Sequence, residues 1–111
     1  MKKQRVRIDP DAKEDLRSLH GWIVLQGSPK SATAYLRRIQ AFANGLDIAS
    51  ERGSSLEEID PGLRTIPFEA VILAVRVRDT TVTVARVFHA SQDWAKQLRR
   101  DAAARARIKP N

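Results

Sequence analysis

Arg86 and His89 stand three residues apart in Arg86-Val87-Phe88-His89-Ala90-Ser91-Gln92-Asp93, where an apolar run gives way to a polar one. A histidine can take or give a proton near neutral pH, and arginine is the fork-shaped donor that fits a phosphate. Metal-free cleavage of RNA needs a base for the ribose hydroxyl, an acid for the leaving group and cations for the phosphate. His89 is the catalytic candidate for either proton role, with Arg64, Arg76, Arg78 and Arg86 available to hold phosphate. No second proton-transfer group is paired with it by spacing. His20, the only other histidine, falls in a first helix, and Tyr35, the only tyrosine, falls on the apolar stripe of a second. Glu57, Glu58 and Glu69 belong to loops that no spacing ties to His89. The simpler role for His89 is a hydrogen bond that caps the last strand near its turn.

Other chemistries have less support. Two histidines and no cysteine do not make a zinc site, and no carboxylate cluster has cation-loop spacing, so neither metal nor cofactor is expected. No phosphate-cradling glycine loop or serine-nucleophile motif occurs. Asp11, Glu14 and Asp15 read as acids favoured by a helix N-terminus, and Trp22 reads as core. Trp94 is either a plug against a helical hairpin or an exposed anchor.

The elements that must position these groups follow from periodicity. Arg5 to Ile8 alternates as a short strand, with Val6 and Ile8 on one side and Arg5 and Arg7 on the other. Asp9-Pro10 then supplies an N-cap and a first helical position. The first helix carries Ala12, Leu16, Leu19, Trp22, Ile23 and Gln26, and Gly27 reads as its left-handed cap. Ser28-Pro29 opens a second helix with Ala32, Tyr35, Leu36, Ile39, Phe42, Ala43, Leu46 and Ala49 on one face. So short a link permits only an antiparallel helical hairpin. Glu51 to Gly62 reads as loop. Leu63–Pro67, Val71–Arg78 and Thr81–His89 are β-branched, alternating strands, with Asp79-Thr80 turning between the last two. In Val71–Arg78, Val71, Leu73, Val75 and Val77 share one side. The phase of the last strand is open, because Val82/Val84/Arg86/Phe88 and Thr83/Ala85/Val87/His89 are both half-apolar.

The expected fold is therefore α+β: an N-terminal strand, a two-helix antiparallel hairpin, then three antiparallel strands in one sheet with both helices on one face. The other face needs no cover and would present Arg5, Arg7 and Arg64 beside Arg76 and Arg78. Ser91 to Arg107 is helix-permissive, with only Trp94 and Leu98 apolar early in it. Residues 1–94 make a single domain and 95–111 a basic C-terminal extension.

Charge is polarised along the 111-residue chain, whose net charge is +7. Residues 1–8 carry +4 and residues 94–111 carry +5, whereas the middle is slightly acidic. Basic ends keep a protein soluble and draw an acidic protein or a nucleic acid through the long-range field. No apolar run is long enough to span a membrane, and the basic N-terminus lacks the apolar stretch of a signal peptide, so a cytoplasmic protein is expected.

Four segments in order carry a family resemblance: the short strand leading into Asp9-Pro10-Asp11-Ala12; Ser28-Pro29-Lys30-Ser31-Ala32; Pro61-Gly62-Leu63-Arg64; and Arg86 to Asp93. The last is similar to the Arg-Val-Leu-His-Gly-x-x-Asp ending common in ParE-like toxins. Over about residues 4–94 the chain resembles the ParE/RelE superfamily of type II toxins, and its ParE branch more closely. It departs from ParE-like chains at Phe68-Glu69-Ala70 and Ile72, where they often carry Gly and Tyr. The resemblance implies a growth-inhibiting toxin of the plasmid-stabilisation kind. It implies neutralisation in a hetero-oligomer by a ParD-like antitoxin with an acidic tail, and DNA gyrase as target. RelE-like relatives are instead ribosome-dependent mRNA endoribonucleases, with a richer set of Lys, Arg, Tyr or His at the sheet. The residues expected to meet target or antitoxin are Arg64, Arg76, Arg78, Arg86, His89, Trp94, Arg99 and Arg100. The lack of a partner for His89 favours binding over catalysis, with a plain nucleic-acid-binding domain as a further reading.

Overall fold

The computed structural model describes residues 5–46 and 53–108. Strand β1 (Arg5–Ile8) leads into helix α1 (Pro10–Gln26) and helix α2 (Pro29–Asn44); a two-residue strand β2 (Ser54–Ser55) precedes β3 (Leu63–Phe68), β4 (Val71–Arg78) and β5 (Thr81–His89), and helix α3 (Trp94–Ile108) closes the chain. The α+β class and the order of elements are as expected. Two features of the sheet differ. Its order is β1-β5-β4-β3-β2, and β1 lies parallel to β5 rather than antiparallel. A parallel neighbour needs a long crossover connection, which the helical hairpin and the strands after it supply. The added strand β2 pairs only Ser54 with Thr65 and Ser55 with Arg64, too short to show as alternation.

Local chemistry sets the helix ends. Asp9 caps α1 by accepting from the Asp11 amide at 3.4 Å, with Pro10 at the first position. Ser28 caps α2 by accepting from the Ser31 amide at 3.1 Å. Gly27 is not left-handed: its φ is −142°, and α1 ends with the Gly27 N–H donated to the Ile23 carbonyl. The stripe residue Ala49 lies outside the described residues. At the β4–β5 turn Asp79 takes the left-handed position at φ 44°, which Asp tolerates better than most residues. Gly62, at φ 78°, and Gly53, at φ 69°, are both demanded by the sheet: a Cβ at Gly62 would sit 2.5 Å from the Val77 carbonyl oxygen, and one at Gly53 would meet the Thr65 carbonyl oxygen.

The core lies in two layers. Ala12, Leu16 and Leu19 of α1 and Ile39 and Ala43 of α2 pack on Ile66, Val71, Leu73, Val75, Val82, Val84 and Val87. The phase of β5 is settled by a β-bulge: Ala74 pairs with Arg86 and Val75 with Val84, leaving Ala85 as the extra residue. Val82 and Val84 therefore face the hairpin before the bulge, and Val87 and His89 after it. Each alternation read from the sequence holds for half of the strand.

The far face is covered over part of its length. Helix α3 buries Leu98, only 3% exposed, against Leu63, Ala74 and Phe88, with Trp94 packed alongside. The expectation of an open arginine-bearing face fails here because two apolar residues in the first turns of α3 suffice to dock it. Trp94 thus plugs the sheet, on the face away from the helical hairpin.

Candidate functional site

Arg86 and His89, three residues apart, point to opposite faces of β5. Arg86 is directed to the α3 side and its guanidinium is consumed. Nε and Nη2 donate to the two carboxylate oxygens of Asp15 at 2.7 and 2.9 Å, and Nη1 donates to Asp101 at 2.9 Å. Asp15 also accepts the Val87 amide at 2.9 Å, on the edge of β5 beyond the end of β1. The guanidinium lies 4.9 Å from the centre of the Phe88 ring. One arginine thereby joins α1, β5 and α3. Its hydrogen bonds to Asp15 hold its pKa above the ordinary arginine value, so it stays charged at any physiological pH. Asp15, read from the sequence as a helix-dipole acid, is a tertiary pin. The signal that could have found it is its position on the same helical face as Leu19, one turn on.

Arg76 is likewise engaged. It donates to Asp60 at 3.0 Å, and Arg105 of α3 reaches the same carboxylate. Arg64 belongs to the hairpin face, because it pairs with Val75 while Leu63 pairs with Arg76. Its guanidinium reaches the Gly53 carbonyl at 3.3 Å. The expected arginine face is therefore incomplete: Arg64 lies on the other side of the sheet, and Arg76 and Arg86 are held in ion pairs. Arg78 is exposed at the hairpin end of β4, and Arg99 and Arg100 are exposed on α3.

His89 forms the wall of a cleft of about 430 Å³ that also includes Asp15, Trp22 and Val87. Its ring stands 5.2 Å from that of Trp22 at 53°. Nδ1 accepts the Ser91 amide at 3.2 Å and lies 2.6 Å from the Ser91 hydroxyl, while the His89 amide donates to the Gln92 side chain at 2.7 Å. With Nδ1 accepting from an amide, the neutral ring carries its proton on Nε2. Asp15, the carboxylate in the same cleft, has both oxygens committed to Arg86 and Val87. Trp22 is not core: it is 50% exposed at the cleft rim, and Leu25, one turn further along α1, is 85% exposed. Among the described residues no group of His, Asp or Glu is placed to hold a metal ion, and no helix is long and apolar enough to cross a membrane.

The family model described as the ParE toxin of the type II toxin–antitoxin system parDE matches residues 6–94. This chain belongs to the ParE toxin family. Among solved structures it is similar to a chain of the chromosomal ParDE toxin–antitoxin system of P. aeruginosa. The identity is 19% and the TM-score 0.69, over 80% of this chain and 98% of that one. It is also similar to a chain of the RelBE2 toxin–antitoxin complex of Mycobacterium tuberculosis, at 24% identity and TM-score 0.56, over 83% and 97% of the two chains. These likenesses carry the fold. No curated protein matches the sequence significantly. Within the ParE family assignment, the Arg86–Asp93 ending acquires a physical meaning: its arginine locks three elements together and its histidine caps the strand at the mouth of a cleft.

Proposed function

We propose that this ParE-family toxin arrests growth in the cytoplasm by binding DNA gyrase, without chemistry of its own, and is neutralised by a ParD-like antitoxin. The observation that carries the binding reading is the lack of a free partner for His89. Nδ1 is held by Ser91 and Nε2 is open, but the carboxylate in its cleft is committed to Arg86 and Val87. General acid–base cleavage needs a free acid and a free base on either side of the reacting atoms. Gyrase as target is drawn from the family branch, since a shared fold leaves the target open. The antitoxin reading is supported by Trp22, at the rim of the cleft, and Leu25, one turn further along α1, two exposed apolar side chains. An acidic, amphipathic tail that folds on binding needs such anchors to offset the entropy it loses.

The test is expression without antitoxin. Gyrase-bound cleaved DNA, filamentation and intact mRNA are expected. Rapid codon-positioned mRNA cleavage with normal supercoiling would establish the ribonuclease reading instead. Co-expression with the neighbouring small reading frame should give a complex that survives size exclusion, and Trp22→Ala should weaken it.

A further inference from the structure

Among the arginines outside the ion pairs described above, three lie together on the sheet. On the α3 side of the sheet, Arg5 pairs across β1–β5 with Thr81, and Thr81 pairs across β5–β4 with Arg78. One step along, Arg7 pairs with Thr83, and Thr83 with Arg76. All of these share one face, since their neighbours Val6, Ile8, Val75, Val77, Val82 and Val84 pack toward the hairpin core. Arg5, Arg7 and Arg78 are exposed, and none of them forms a hydrogen bond or salt bridge through its side chain with a described residue. Arg76 is the fourth cation of the group, but Asp60 holds it. Helix α3 docks further along the sheet, at Leu63, Ala74 and Phe88.

We propose that this patch binds the phosphate backbone of double-stranded DNA. Residues two apart on a strand are separated by about 6.6 Å and neighbouring strands by about 4.8 Å, so the three guanidiniums span a strip long enough for more than one phosphate. Thr81 and Thr83 lie between them and add hydroxyl donors of the kind that meet phosphate oxygens. The rows Arg5–Thr81–Arg78 and Arg7–Thr83–Arg76 contain no aromatic side chain, so the surface has no platform on which to stack unpaired bases. That favours a duplex over a single strand, read without regard to sequence. That the duplex is DNA rests on the gyrase reading, since duplex DNA is what gyrase acts on; the patch itself rests on the sheet alone.

The test is fluorescence anisotropy of the full chain with a labelled mixed-sequence DNA duplex, across a salt series. The triple variant Arg5→Gln/Arg7→Gln/Arg78→Gln is compared with Lys13→Gln/Lys30→Gln/Arg37→Gln, which removes the same charge from exposed positions on the two helices. The patch variant should lose about tenfold or more in affinity near physiological salt, and its salt slope should fall by up to about 2.7, about 0.9 for each phosphate contact. The helix variant should lose much less. Equal losses in both, or no duplex binding by the unaltered chain at low salt, would overturn the patch. Tighter binding of a single strand or of an RNA duplex would overturn the assignment to duplex DNA. The exposed arginines support no fold contact, so retained antitoxin binding shows that the variant is folded. Gyrase inhibition is read separately by supercoiling, so loss of the patch and loss of the gyrase reading remain distinguishable.

Discussion

The two faces of the sheet are held by different physics. The hairpin face is a continuous apolar layer, in which α1 and α2 bury Leu16, Ile39, Leu73 and Val75 among others. The α3 face has a core of only four buried residues, Leu63, Ala74, Phe88 and Leu98, ringed by ion pairs from Arg76, Arg86 and Arg105 to Asp60, Asp15 and Asp101. The contrast explains why arginines near a sheet are poor guides to function. On a face with little apolar area, a fixed guanidinium between two carboxylates reinforces the docking of Leu98 and Trp94, and the strand arginines that those carboxylates leave over on that face are Arg5, Arg7 and Arg78.

That contrast can be broken most severely at Leu98. Leu98→Ala removes the one fully buried side chain that α3 contributes, and should cost about 2–4 kcal/mol in denaturant unfolding. Loss of α3 docking should appear as faster amide exchange confined to that helix. A cost near zero would mean that the ion pairs alone hold α3. Gly62→Ala should come next. It forces a Cβ against the Val77 carbonyl at positive φ, and should lower stability by more than about 1 kcal/mol.

Asp15→Ala should cost about 2 kcal/mol, because it strands the Val87 amide and half of the Arg86 pairing in a partly buried place. The pH behaviour carries a sign. Arg86 has a raised folded pKa, so its contribution is fully present below the ordinary arginine value and is lost only as pH rises through the raised folded one. The stability difference between the unaltered chain and Asp15→Ala should therefore not shrink between pH 7 and 10 on the arginine's account. A steady decline over that range would contradict the assignment. Asp101→Asn, at the more exposed end of the same clasp, should cost under about 1 kcal/mol.

Much of the fold was legible in the sequence because local signals were strong. Asp9-Pro10 and Ser28-Pro29 mark helix starts, and Val71–Arg78 and Thr81–His89 alternate cleanly enough to give the observed strand bounds. What escaped was tertiary. A bulge at Ala85 leaves no trace in residue type, so which alternation set faces the helical hairpin could not be read, although alternation alone parts Arg86 and His89 onto opposite faces. The reach of Asp15 to Arg86 spans 71 residues, and the place of Asp15 on the helical face of Leu19 marks it as inward-facing without naming its partner. Trp22 sits on an apolar helical stripe yet lies half exposed, because the stripe is wider than the surface α2 and the sheet can cover. The candidate site was legible at His89 and its turn, and Ser91 and Gln92, which hold the ring and the strand end, fell inside the quoted motif without a role.

The central claim is that His89 caps a strand and does not transfer protons. The measurement that bears on it most directly is His89→Gln, scored for growth arrest in cells and for antitoxin binding by size exclusion. A Gln can still accept a hydrogen bond near the turn, so growth arrest should survive within about threefold, far short of the 10²–10⁴-fold loss expected on removing a general acid or base. A variant that binds antitoxin as the parent does, yet no longer arrests growth, would contradict the account and make His89 a catalytic residue.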